Sequence, residues 1–192
     1  MLRPAAIALA LSLAASFAAA GPQPVPPSPA APLPNSATIP KVGFRAEYLR
    51  DLDDLQQKIE DLAAAMPQSK YAWRPEEGVR SVSEVYLHIA GSNYFLATFV
   101  GVKPPANLPD FDKITEKARV LDELRKSFDH IRNAAINTPD SDLETQIKMF
   151  GATTTKRAAF ITILNHLHEH LGQSIAYARI NGVVPPWSRK EQ

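Results

Sequence analysis

From Lys41 onward, apolar residues recur at three- and four-residue steps, the spacing that lays one side of an α-helix against a core. Phe44, Tyr48, Leu49, Leu52, Leu55, Ile59, Leu62 and Ala63 make the first such stripe, which ends before Pro67. A second helix is predicted to begin at Ser81, because Ser81-Val82-Ser83-Glu84 reads as a capping box. Its apolar residues continue through Val85, Ile89, Phe95, Leu96 and Phe99, until Gly101 and Pro104-Pro105 stop it. The third helix runs over about 114–136, with Ala118, Leu121, Leu124, Phe128, Ile131 and Ala135 on one side and charges opposite, and ends at Asn137-Thr138-Pro139. The fourth starts near Thr153 to Thr155 and stops at Asn181-Gly182, a pair suited to a left-handed C-terminal cap.

Four long amphipathic segments with no convincing alternating strand run predict an all-α fold, a four-helix bundle with a long loop between helices 3 and 4. Within that loop, Leu143, Thr145 and Ile147 alternate, so 142–150 reads as a strand-like strap or an irregular loop, with no partner strand evident.

The chain before Lys41 is different. Arg3 is followed by an apolar run from Ala5 to Phe17 and by Ala18-Ala19-Ala20, so residues 1–20 read as a secretory signal peptide cleaved before Gly21. The run is shorter than the roughly 20 apolar residues that span a bilayer. The sequence therefore predicts no stable membrane insertion after cleavage, and a periplasmic or secreted protein. Residues 21–40 are Pro-rich and carry almost no charge, which predicts an extended, semi-rigid tether. The bundle domain then occupies 41–192.

Charge and cysteine content narrow the chemistry. The 21 Lys and Arg residues nearly balance the 20 Asp and Glu residues, and no basic stripe interleaves with aromatics, which argues against nucleic acid as a partner. The absence of Cys rules out disulfides and any protein thiolate nucleophile.

His166 and His170 are four apart on the fourth helix, so their side chains stand one turn apart on the same face. Gln173 and Tyr177 extend that stripe, and Ile163, Leu164, Leu167, Leu171 and Ile175 flank it with apolar surface, which points it inward. His88 lies among Val85, Ile89, Ser92 and Phe95 in the middle of the second helix, where it is either a satisfied core histidine or a third ligand. Three inward imidazoles make the nitrogen set that one divalent ion accepts while a coordination position stays open. Such a set suits Zn, Ni, Fe or Mn. Two axial histidines for haem would need a large apolar slot, which three clustered histidines fit poorly. His168 is about 200° around the helix from His166, and His130 is beside Asp129 on the charged side of the third helix. Both are expected in solvent.

An ion with an open position lowers the pKa of bound water and makes hydrolysis of an unknown small-molecule substrate available. Glu84, one turn before His88, is the candidate proton acceptor, and its other reading is the capping role at Ser81. Gln173 could orient water or substrate, and Tyr94 or Tyr177 could donate a hydrogen bond. Trp73 and Trp187 either border a pocket mouth or pack the loops over the bundle end.

These residues resemble those of the DinB/YfiT-like metal-dependent four-helix-bundle proteins, over about 41–188. The similarity rests on Tyr71-Ala-Trp73-Arg-Pro75 leading into Ser81-Val-Ser-Glu-Val-Tyr-Leu-His88, on His166-Leu-His-Glu-His170-Leu-Gly172-Gln173, and on Tyr177-Ala-Arg179-Ile-Asn181-Gly182 before Pro185-Pro186. The resemblance implies a metal triad at His88, His166 and His170. Many such relatives have Arg where this chain has Leu171, so an anion contact from that position is lost here. It also implies thiol-dependent transfer as an alternative to hydrolysis, yet an exported chain would be parted from cytosolic low-molecular-weight thiols. A non-catalytic metal- or ligand-binding bundle is the other alternative, and a homodimer is left open.

Overall fold

The computed structural model describes residues 39–189; the expected signal peptide and all but the end of the expected Pro-rich tether lie outside the described residues. Four helices, α1 (Phe44–Ala65), α2 (Val82–Ala97), α3 (Lys117–Asn137) and α4 (Lys156–Ile180), form the predicted bundle. Helix α1 packs on α3 and α4, and so does α2, so the order around the bundle is α1, α3, α2, α4. Tyr48, Leu52, Leu55, Ile59 and Leu62 of α1 are buried against Val120, Leu124, Phe128 and Ile131 of α3 and Phe160, Ile163 and Leu167 of α4. None of the described helices is long and apolar enough to cross a membrane.

Local chemistry explains where the helices start and stop. Met66 sits before Pro67 in an extended conformation, since the proline ring disfavours a helical residue ahead of it. The buried Tyr71 donates its hydroxyl to the Ala63 carbonyl at 2.8 Å, tying the following loop to the end of α1. That loop then receives α2: the Val82 and Ser83 amides donate to the Trp73 and Tyr71 carbonyls at 3.0 and 2.9 Å. The capping box at Ser81 and Glu84 is present in both directions. Most of the donors that a helix start leaves without partners are thus satisfied, which fixes the position of α2 and of its central histidine. Gly101, at φ 95°, ends the single 3-10 turn Thr98–Val100 that follows α2.

Helix α3 begins three residues later than the periodicity suggests. Asp110 instead caps a 3-10 turn, Phe111–Lys113, and Ile114 is extended. Ala118 consequently faces solvent, and the buried stripe runs through Val120. Lys117 reaches back across the end of α1, where its ammonium donates to the Ala64 and Met66 carbonyls.

The long loop between α3 and α4 is ordered as a hairpin, which corrects the expectation of a strap without a partner. Strand β1 (Gln146–Met149) pairs antiparallel with β2 (Ala152–Thr155), with Met149 opposite Ala152. The partner strand lies where the fourth helix was expected to start, and Thr155 ends it by capping α4 with its hydroxyl, which accepts from the Ala158 amide. The two-residue turn, Phe150 at φ 51° and Gly151 at φ 83°, is left-handed at both positions, as a tight hairpin requires. Glycine tolerates this freely, whereas Phe150 carries backbone strain on the order of 1 kcal/mol. At the other end of α4, Gly182 is left-handed, and the Val183 and Gly182 amides donate to the Ala178 and Arg179 carbonyls, the expected C-terminal cap.

Candidate metal centre

Helices α2 and α4 run antiparallel, since Arg80 meets Tyr177 while His88, further along α2, meets His166 and His170. The three predicted histidines come together at that crossing. One ring nitrogen from each lies within 4.8 Å of the others, and Nε2 of His88 is 3.2 Å from Nε2 of His166. Ligands bound tetrahedrally at about 2.0–2.1 Å stand roughly 3.3 Å apart, so this separation fits a shared ion. His170 is 8% exposed, and the other two are half-buried.

The electrostatics favour neutral imidazoles, the form that binds metal. Burial, then the nearby Arg80 charge and the rings of His170 and His166, push His88 down to about 4. Burial, His170 and Arg80 do the same for His166, also to about 4. A chain of hydrogen bonds orients the third ring. The Arg80 carbonyl can only accept, so Tyr177 donates its hydroxyl to it at 3.0 Å, and the Tyr177 oxygen accepts from the Gln173 amide at 3.3 Å. Gln173 therefore turns its carbonyl oxygen to Nδ1 of His170, 2.8 Å away, and His170 donates there. The Nε2 lone pair is left for the cluster. Tyr177 is itself held edge-on by Trp73, with ring centroids 5.3 Å apart.

Gln173 thus orients His170 from behind, in place of the expected role of orienting water or substrate. Glu84 sits one turn from His88 on α2, and both of its oxygens are engaged: one accepts from the Ser81 amide at 2.7 Å, the other pairs with Arg74 at 2.9 Å. The Ser81 amide, with Arg74, holds the Glu84 carboxyl below the usual carboxylate range. Tyr94 is remote from the triad and packs on His130, ring centroids 5.0 Å apart. His168 is exposed as expected, with Nδ1 on the Leu164 carbonyl. His130 corrects the expectation of a solvated ring: it is half-buried, its Nε2 is buried without a partner among the described residues, and burial lowers its pKa. Trp187 lies in the exposed turn Pro186–Ser188.

A cleft of about 460 Å³ opens beside His88. One wall is the outer side of α2, from Arg80 and Glu84 through His88 and Gly91 to Phe95, and the other is the turn that carries Phe111 and Asp112. The Phe111 ring comes within 3.5 Å of where a Cβ on Gly91 would stand, so the small residue sets how closely the turn approaches the helix. Neither Gly91 nor Phe111 was among the residues expected at the site, and a glycine within a helical stripe is the one signal that marks this wall in the sequence.

The sequence model of the DinB superfamily matches residues 51–174. No curated protein matches the chain. Among solved structures, the chain is similar to a DinB-like protein from Bacillus cereus ATCC 10987, at 20% identity and a TM-score of 0.66, over 72% of this chain and 93% of that one. It is also similar to a DinB-like protein, YjoA, from Bacillus subtilis, at 18% identity and a TM-score of 0.61, over 76% and 99% of the respective chains.

Proposed function

The chain belongs to the DinB superfamily, and from that premise we propose that it is an exported protein holding one divalent metal ion on His88, His166 and His170 and hydrolysing a small molecule there. The observation that carries this reading is the convergence of three ring nitrogens within 4.8 Å, from the middle of two different helices. An ion bound there would supply Lewis-acid polarisation of water or of a substrate carbonyl or phosphoryl oxygen. The chain's own residues do the rest. The Gln173 and Tyr177 chain fixes the His170 ring, burial keeps His88 and His166 free of protons, and the cleft wall at Leu87 and Phe111 brings a substrate against His88.

Glu84 lines the same cleft as His88 and is ionised, which keeps it as the proton-acceptor candidate, although one of its oxygens serves the helix cap and the other pairs with Arg74. Hydrolysis is preferred to thiol transfer because the N-terminal leader is expected to deliver the protein outside the cytosol, away from low-molecular-weight thiols. Near-balanced charge supports a small-molecule substrate over nucleic acid.

A structural role for the ion is the second reading, favoured because the ligands bridge α2 and α4. Chelation separates the two. Metal-stripped protein is compared with protein reloaded with Zn, Ni, Fe or Mn by circular dichroism and against a panel of esters, amides and phosphoesters. A folded apo-protein whose turnover returns with one of these ions supports catalysis. Unfolding on chelation, with no turnover from any reloaded form, supports the structural role.

A further inference from the structure

The cleft beside His88 has two chemically different ends. Arg80, Glu84 and His88 lie toward the start of α2, whereas Phe95, seven residues and therefore about 10 Å of helix beyond His88, lies toward the other. Phe95 is 53% exposed. It belongs to a cluster of three: its ring centroid is 5.3 Å from that of Phe99 and 6.2 Å from that of Phe150, and Phe99 and Phe150 are 5.2 Å apart.

Phe150 is the unusual member. It occupies the first position of a turn that favours Asn or Asp, with a left-handed φ of 51°, and it is 67% exposed. A polar residue would suit both the backbone and the solvent better. The chain instead holds an aromatic ring at the hairpin tip, continuous through Phe95 with the cleft that His88 lines. Strain kept at a position where a commoner residue would relieve it points to a function for the side chain. At about 460 Å³ the cleft has the size of a small-molecule site.

We propose that this cleft takes a small molecule bearing an aryl or alkyl group, with its polar reacting end at the histidines and its apolar group along Phe111, Phe95 and Phe150. Phe150 and Phe95 then select the substrate by its apolar group. The assignment of the polar end rests on the metal reading above; the apolar subsite stands on the aromatic cluster.

Calorimetric titration of zinc-loaded protein with acetohydroxamate and octanohydroxamate tests the proposal, since the two share a metal-binding head and differ in the tail. The longer ligand binds at least about tenfold more tightly to the wild type, because its extra methylenes leave water. Phe150→Asn supplies the Asn-Gly pair preferred in this turn, so it folds with a melting temperature no lower than the wild type. In it, and in Phe95→Ser, the advantage of the long tail falls to about threefold or less while acetohydroxamate affinity is unchanged. A wild type indifferent to tail length, or a tail advantage that survives in both variants, overturns the subsite. If neither hydroxamate binds, the metal reading has failed, and anilinonaphthalene sulfonate fluorescence on metal-free protein decides the subsite separately. Enhancement that is lost in Phe150→Asn upholds it, and enhancement equal in wild type and variant overturns it.

Discussion

Nδ1 of His170 lies 2.8 Å from Oε1 of Gln173, and that one contact determines which nitrogen of the ring faces His88 and His166. Hydrogen-bond partners behind a metal-binding histidine typically matter by 10–100-fold in affinity. Gln173→Leu should therefore weaken zinc binding by about that factor in competition with a chelating dye, with the helical content intact. Gln173→Glu, which still accepts from His170, should restore most of it. Equal affinity in wild type and Gln173→Leu would show that the orientation of His170 is set elsewhere.

Acid should destabilise the metal-free protein earlier than carboxylate chemistry alone accounts for. His88 and His166 are held at about 4, and burial lowers His130 as well, while the same rings in the unfolded chain titrate near 6.5. Between those values the unfolded chain binds more protons than the folded one, so stability rises with pH through this window. It is fully present above about 6.5 and falls as the pH drops toward 4. The urea midpoint should decline from pH 7.5 to pH 5.5, and His88→Asn with His166→Asn should flatten that decline. A midpoint constant across the range in the wild type contradicts the burial argument.

Glu84 offers a test of capping against catalysis. Glutamine fills the same position of a capping box, so Glu84→Gln should cost less than about 0.5 kcal/mol, whereas Glu84→Ala should cost about 1 kcal/mol. Loss of a general base would instead reduce turnover by about 10²-fold or more in a folded Glu84→Gln protein. The two hydrogen bonds on the Glu84 carboxylate predict the first outcome, and urea denaturation beside initial-rate measurements distinguishes them.

The features legible in the sequence were those governed by local rules. Ser81 and Glu84 announce a cap through their spacing, Asn181-Gly182 announces a helix end, and the stripes from Tyr48, Leu124 and Leu167 fix which sides of the helices are buried. The triad was legible because His166 and His170 share a face by helical geometry and His88 sits inside an apolar stretch.

What depends on tertiary contact was not. The β2 strand was hidden because Ala152–Thr155 runs directly into α4, and because its turn uses Phe150 where Asn or Asp would have signalled a hairpin. The half-buried state of His130 depends on Tyr94 reaching it from α2, which no spacing within α3 reveals. Gln173 could be placed on the histidine face, but its role is decided by Tyr177 and the distant Arg80 carbonyl. Phe111 enters the cleft from a short 3-10 turn, too brief to leave a periodic signature.

In the proposed site three histidines hold one ion. Elemental analysis of the purified wild type beside His88→Ala and His170→Ala, each reloaded with zinc and desalted, tests it most directly. About one ion per chain is expected in the wild type and well under half of that in either variant, with helical content preserved. Metal content unchanged in both variants would contradict it.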